Sequence, residues 1–391
     1  MKTIKQKLSI CLIFVLALGV GLFFALAPGI AEKGMNRVRP SKLDLSPDIR
    51  KFHQQLRIAD LHADSLLWHR NLLKRGSRGH VDVPRLLEGN VALQVFTTVT
   101  KSPDGLNNIK NEADTRDNIT LLALAQRWPP DTWTSLTARA LHQAARLREF
   151  EQLSQGSLRI IRSKKDLTQL LQSRKQGQQV VGGLLGTEGS HALDEKLGNV
   201  QVLYDAGFRL MSLQHFFDNK LGGSLHGVSK HGLTEFGQSV VEEIERLEIL
   251  LDVSHSSANV VRDTLAIATR PLIVSHTGIQ SHCATPRNID DNLMKKIAVA
   301  GGLIGIGYWD SASCDVSPTG IAKSIIAAIN LVGEDHVALG SDFDGAVTTG
   351  FDAAELVKLT QALVDEGLDE QVIKKVMGEN QIRFFITYLP D

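Results

Sequence analysis

In RIADLHADSLLW, residues 57–68, a short apolar run leads into His62 and Asp64. The alternation of an extended chain points these two side chains to the same side. An imidazole beside a carboxylate is a ligand pair for a divalent metal. Five further apolar runs end alike, on Glu188 (VVGGLLGTE), His215 (RLMSLQH), His255 (ILLDVSH), His276 (PLIVSH) and Asp342 (HVALGSD). A single histidine at such a place is ordinarily a hydrogen-bonded turn residue, so the weight rests on the recurrence. Nitrogen and oxygen donors without thiolate suit Zn²⁺ and tolerate Mn²⁺ or Co²⁺. One tetrahedral catalytic zinc with an open water position needs fewer ligands than this, which favours two zinc ions sharing a carboxylate bridge. Such a pair, roughly 3.5 Å apart, holds a hydroxide and polarises a carbonyl. That is the chemistry of hydrolysis.

These residues can meet only if the fold gathers the ends of the runs. Eight β-rich stretches are expected at 56–62, 91–99, 180–188, 209–215, 249–255, 271–276, 302–307 and 336–342, alternating with segments of helical periodicity. In TEFGQSVVEEIERLE (234–248), for example, Phe236, Val240, Val241, Ile244 and Leu247 fall on one helical face. Such alternation predicts a (β/α)₈ TIM barrel, whose C-terminal strand ends converge on one mouth. An open doubly wound sheet is the alternative, but no glycine-rich dinucleotide fingerprint follows the first strand. Residues 101–170 interrupt the alternation and predict a helical insertion, carried by NIKNEADTRDNITLLALAQRW and SLTARALHQAARLREFEQLS. The other histidines, His226 among them, fall in helical or loop contexts or before a strand, and read as solvated or locally bonded.

Forty-three basic residues offset 43 acidic ones, which leaves no field to draw the chain to nucleic acid. Of three cysteines, Cys11 lies in an apolar segment. Cys283 and Cys314 therefore form at most one bridge, and nothing in the sequence decides whether they do. Residues 1–39 read as an export segment: Lys2, Lys5 and Lys7 precede the uncharged run Leu8–Ile30, and a polar, basic linker follows. The run is long enough for a bilayer core of about 30 Å, so an uncleaved anchor is expected ahead of cleavage near Ala31. The basic N-terminus then stays in the cytoplasm, and residues 40–391, the catalytic barrel, face the periplasm or cell exterior.

DLHADSLL, GHVDVPRLLEGNVALQVF, LLGTEGSHAL, GFRLMSLQHFFDN, GLTEFGQSVVEEIERLEILLDVSHSS, RPLIVSHTGIQSHCATPRNIDDNLMKKIAVAGGLIGI and HVALGSDFDGA together resemble, in order, the blocks of the renal (membrane) dipeptidase family. The likeness covers roughly residues 50–385 and is poor in the insertion. It implies an amidohydrolase-type barrel with two zinc ions, hydrolysing the peptide bond of dipeptides. By the same likeness His62 and Asp64 bind one metal, His255 and His276 the other, and Glu188 bridges them. His215 stabilises the developing oxyanion, Arg287 binds the substrate carboxylate, and Tyr308 is a further candidate for that pocket. Asp342, preferred over Asp344, takes a proton from the attacking water and gives it to the leaving amine.

Other readings of the residues stay open. His215 could be a third ligand, Arg287 could pair with Asp290 or Asp291 at the surface, and Asp342 and Asp344 could cap a turn. Two departures from the family pattern concern turns: Glu248 stands where glycine is usual, and VMGENQIRFF only loosely matches Gly-Asn-x-x-Arg. Expected partners are small dipeptides, the membrane through the N-terminal segment, and a second copy in a homodimer. The alternatives are a related amidohydrolase acting on β-lactams, lactones or N-acyl amino acids, and a non-catalytic extracytoplasmic binding protein.

Overall fold

The computed structural model describes residues 2–391. Eight parallel strands close into a barrel: β1 (Ile58–Ala63), β2 (Val91–Val99), β3 (Val181–Glu188), β4 (Phe208–Ser212), β5 (Leu250–Asp252), β6 (Ile273–Thr277), β7 (Leu303–Ile306) and β8 (Val337–Leu339). Each pairs with the next, and β8 returns to β1 through Leu339 opposite Asp60. The longest seam joins β2 to β3, from Leu93 opposite Gly182 to Val99 opposite Glu188. Every residue of the eight strands is buried, because side chains on one side fill the barrel and those on the other meet the helices. A TIM barrel was the expected fold.

The helix after β4, Glu235–Arg246, buries Val240, Val241 and Ile244 on the expected face, with Thr234 accepting from the Gly237 amide as its cap. β4, β5 and β8 end earlier than the apolar runs suggest. His215, His255 and Asp342 each lie three residues beyond the last paired residue, in turns. His255 and Asp342 there adopt left-handed backbone, φ 61° and 58°, which a continuing strand does not allow.

Within 101–170, α2 (Asn118–Ala125) and α3 (Leu136–Leu153) are helical, followed by the short strand Leu158–Ile160. The first helix is shorter than its sequence suggests. Asp117 accepts from the amides of Ile119 and Thr120 and so starts the helix there, leaving 108–117 in turns. Cys283 and Cys314 are joined, Cα atoms 5.6 Å apart, tying the loop after β6 to the loop after β7.

Both departures from the family pattern have a local cause. Glu248 has φ 54° in the turn before β5, a conformation that glycine adopts without strain. In the tail, the chain kinks at Gly378, whose backbone (φ 170°, ψ −21°) is not helical, between the helices Glu370–Lys374 and Asn380–Tyr388. Asn380 still donates to the carbonyls of Glu334 and Val337, and Asn380 to Arg383 keeps the Asn-x-x-Arg spacing.

Ahead of the barrel, α1 (Lys2–Met35) is apolar over most of its length, and Gln6–Phe23 are all exposed. Its end packs on the barrel. Glu32 is buried between Arg70 and Arg78, and Arg37–Val38 pair in parallel with Thr348–Thr349.

Candidate metal centre and active site

Glu188, the last residue of β3, is the hub. Its Oε1 lies 3.5 Å from His62 Nε2, 3.4 Å from His215 Nε2, 3.2 Å from His255 Nε2 and 3.5 Å from His276 Nε2. Asp64 and Asp342 approach His62 Nε2 at 3.6 and 3.9 Å. All seven side chains are buried. The structure thus gathers every predicted ligand, together with His215 and Asp342, at one end of the barrel. Gly189 makes room beside Glu188: with φ 83°, a Cβ there would sit 2.9 Å from the Cβ of His215.

The imidazoles are oriented from behind by Ser275 of β6. Its hydroxyl donates to Asp252 Oδ2 at 2.6 Å and faces His62 Nδ1 at 3.1 Å and His276 Nδ1 at 2.9 Å. With its proton committed to Asp252, the hydroxyl accepts from both rings, which leaves their Nε2 lone pairs facing Glu188. Gly305 and Gly340 allow the neighbouring strands to approach: a Cβ at either would lie 2.2 and 2.0 Å from the Ser275 carbonyl oxygen. Lys101 O accepts from His215 Nδ1 at 3.0 Å, so neutral His215 also turns a lone pair inward. Buried lone pairs facing a carboxylate repel each other unless a cation lies between them.

The electrostatics agree at every group but His62, whose pKa Asp64 and Asp342 hold above the ordinary histidine value against its burial. Burial, reinforced by Asp64 and Asp342, pushes the Glu188 carboxyl well above the usual range. Burial likewise raises Asp342 to about 8, with His62 opposing. His255 and His276 are driven well below the ordinary histidine value, chiefly by burial. Neutral imidazoles and crowded carboxylates are the protonation states that a divalent metal selects. Three groups of donor atoms, His62–Asp64–Glu188, Glu188–His215–His255 and His62–His276–Asp342, are each compact enough to hold an ion. The donor set therefore fits a metal.

Arg287 is not a surface residue. It is 1% exposed, its Nη2 donates to the His276 carbonyl at 3.0 Å, and its guanidinium lies over Trp309 at 5.1 Å. Nη1 is buried without a partner among the described residues. Burial lowers the guanidinium pKa to about 10, which leaves it charged at neutral pH. Asn288 braces its loop through the Gly278 amide and the Cys283 and Ala312 carbonyls. Tyr308 is buried between Phe343 and Phe351 with its hydroxyl unpartnered, and no hydrogen bond joins it to Arg287 among the described residues. Asp344 lies apart from the histidines. Its carboxylate accepts from Ser65 Oγ at 2.6 Å and the His80 amide at 2.6 Å, and pairs with Arg70.

Three residues of the site were not singled out by the sequence. Asp252 and Ser275 lie in β5 and β6, three residues before His255 and one before His276. His226, read as locally bonded, is fully buried beside the cluster, its ring 5.1 Å from that of His255 and stacked on Phe216 at 4.7 Å. Asn108 O holds its Nδ1 at 3.0 Å and its Nε2 has no partner among the described residues. The signal for the first two was the Asp-x-Ser-His and Ser-His spacing; His226 carried none.

Residues 47–387 match the model of the membrane dipeptidase family, peptidase family M19. The chain belongs to that family. This dipeptidase is 30% identical over 256 residues to an uncharacterized protein encoded 5′ of pqqA in Klebsiella pneumoniae, covering 62% of this chain and 93% of that one. Among solved structures it resembles dipeptidase AC, a family M19 metallopeptidase, with TM-score 0.68 and 24% identity over 86% of this chain and 99% of that one. A Rhodobacter sphaeroides metallopeptidase, solved with a phosphinate mimic of L-Ala-D-Ala, gives TM-score 0.67 and 23% identity over 85% and 99%. The probable dipeptidase PvdM of Pseudomonas aeruginosa gives TM-score 0.71 and 15% identity over 86% and 96%. The enzyme is a metallo-dipeptidase on a TIM barrel.

Proposed function

We propose that the enzyme hydrolyses dipeptides with two zinc ions, His62 and Asp64 holding one, His255 and His276 the other, and Glu188 both. The observation that carries this is the convergence of four imidazole nitrogens on one Glu188 oxygen. When bound, the ions activate the attacking water and polarise the scissile carbonyl. Arg287 receives the substrate carboxylate through its free Nη1, in a buried setting where a charged donor is strong. Asp342, beside His62 and without a side-chain hydrogen bond of its own among the described residues, accepts the water's proton and returns it to the leaving amine.

His215 has two roles to choose between. As an oxyanion donor its Nε2 must carry a proton, yet Lys101 O occupies the Nδ1 proton and burial holds the ring to about 4. Its place with Glu188 and His255 in one donor group favours a ligand role. Replacing His215 by asparagine separates them: loss of bound zinc marks a ligand, and loss of kcat at full zinc content marks an oxyanion donor. Tyr308, packed between Phe343 and Phe351, is given no contact with the substrate.

The apolar helix α1 anchors the chain, with the barrel outside the cytoplasm. The Cys283–Cys314 disulfide suits such an oxidising compartment. Metal analysis of the purified enzyme, beside a panel of L,L and L,D dipeptides and a tripeptide, tests the catalytic reading. Two zinc ions per chain, dipeptide-only hydrolysis and its loss in Glu188→Gln are expected. Trace metal, or full activity in Glu188→Gln, would overturn it.

A further inference from the structure

α1 meets the domain at the rim of the mouth. Phe24, Ala27, Pro28, Ala31 and Glu32, on one helical face, are shielded near its end, together with Gly29. Glu32 pairs with Arg70 and Arg78, in the segment after β1. Asn36 Oδ1 accepts from the Ala346 amide at 2.8 Å, and Arg37–Val38 pair with Thr348–Thr349, after β8. α2, after β2, packs beside α1. All three segments follow C-terminal strand ends, so the helix leaves the domain from the active-site face.

α2 carries no charge, and Asn118 and Thr120 in its first turn are its only polar residues. Ile119 and Ala123 face inward onto Leu67, Trp68, Val99 and Trp128, while Leu121 and Leu124 remain 50% and 37% exposed. An uncharged helix with an uncovered apolar side needs a nonpolar partner. The length of α1 says which. Its free apolar part, Leu8–Phe23, spans about 24 Å at 1.5 Å per residue, short of a hydrocarbon core of about 30 Å. The docked turns must make up the difference, and they carry the rim down with them. Lys33 and Arg127 are exposed near this rim and suit lipid phosphates.

We propose that the rim formed by α2 rests on the lipid surface that α1 enters, so that the catalytic mouth opens at the membrane. This rests on α1 being a retained anchor. Dipeptides then enter at the lipid–water boundary, and the far end of the barrel faces bulk solvent.

The test uses the full chain in phosphatidylethanolamine–phosphatidylglycerol nanodiscs. Spin labels are placed at Leu121→Cys, Leu124→Cys and Val299→Cys, each in a Cys11→Ser background. Val299 is 89% exposed and ends the helix Asp291–Val299 leading into β7, at the opposite end of the barrel. A label on native Cys11 reports on the anchor. Expected is an oxygen-to-nickel accessibility ratio about fivefold higher at 121 and 124 than at 299, with the Cys11 label in lipid. Equal ratios at all three positions while Cys11 is in lipid would overturn the proposal and leave the anchor intact. A water-exposed Cys11 label would overturn the anchor first, and the resting rim with it.

Discussion

Asp342 and Asp344 stand two residues apart in the turn after β8, both in left-handed backbone, φ 58° and 64°, and their surroundings drive them in opposite directions. Among the described residues no side-chain hydrogen bond reaches Asp342, burial dominates, and its carboxyl rises to about 8. Asp344 is as deeply buried, but Arg70, His80 and Ser65 outweigh that burial and hold its carboxyl well below the usual range. Burial alone does not set a carboxylate's role; the donors that reach it do. The first is suited to move a proton. The second is suited to hold Arg70, and through it Glu32 at the end of α1, against the rim.

The largest expected effect separates the pair directly. Asp342→Asn should cut kcat by about 10² to 10⁴, the usual contribution of a general acid–base, without weakening the fold at neutral pH. Asp344→Asn should do the reverse: activity per folded molecule is retained, while urea unfolding loses about 3 kcal/mol because Arg70 keeps its charge without that partner. Equal losses of activity in both variants would break the comparison.

Arg287→Lys keeps the positive charge near Asp342 and removes the planar fork. KM for dipeptides should rise about 10- to 100-fold, with the pH dependence of kcat unmoved. A shifted pH profile would mean that Arg287 acts mainly by tuning Asp342.

Metal-free protein should show two opposed pH slopes. Asp344, depressed in the fold, contributes stability above its unfolded value of about 3.9 that is lost as the pH falls below it. Asp342, raised in the fold, binds its proton more tightly than the unfolded chain does. Its contribution is present in acid and lost as the pH rises from about 4 toward 8. Unfolding free energies of Asp344→Asn and Asp342→Asn across pH should each lack one slope, and zinc should flatten the second.

The smallest effect calibrates the backbone that both aspartates share. Glu248 is exposed, left-handed and far from the site. Glu248→Gly should stabilise by about 1 kcal/mol in thermal unfolding. No gain there would mean that left-handed backbone costs little in this chain, at the mouth as well.

By itself the sequence determined the period of the strands, the barrel they imply and the donors at their ends, because these are local: an apolar run followed by His, Glu or Asp is visible in one dimension. It also supplied Asp342 over Asp344, for the reason of proximity to the strand. The physical ground, the different donors around the two carboxylates, came only from segments 260 residues and more away in the chain, where Ser65, Arg70 and His80 lie. Tertiary structure alone decided that His226 lies beside His255, that Ser275 orients two imidazoles, that Cys283 meets Cys314, and that the end of α1 packs on the mouth. Each is a long-range meeting, and only Ser275, next to His276, has a neighbour in sequence that carries a sign of it. Periodicity tells a side chain which way to face, and only packing tells it whom to meet.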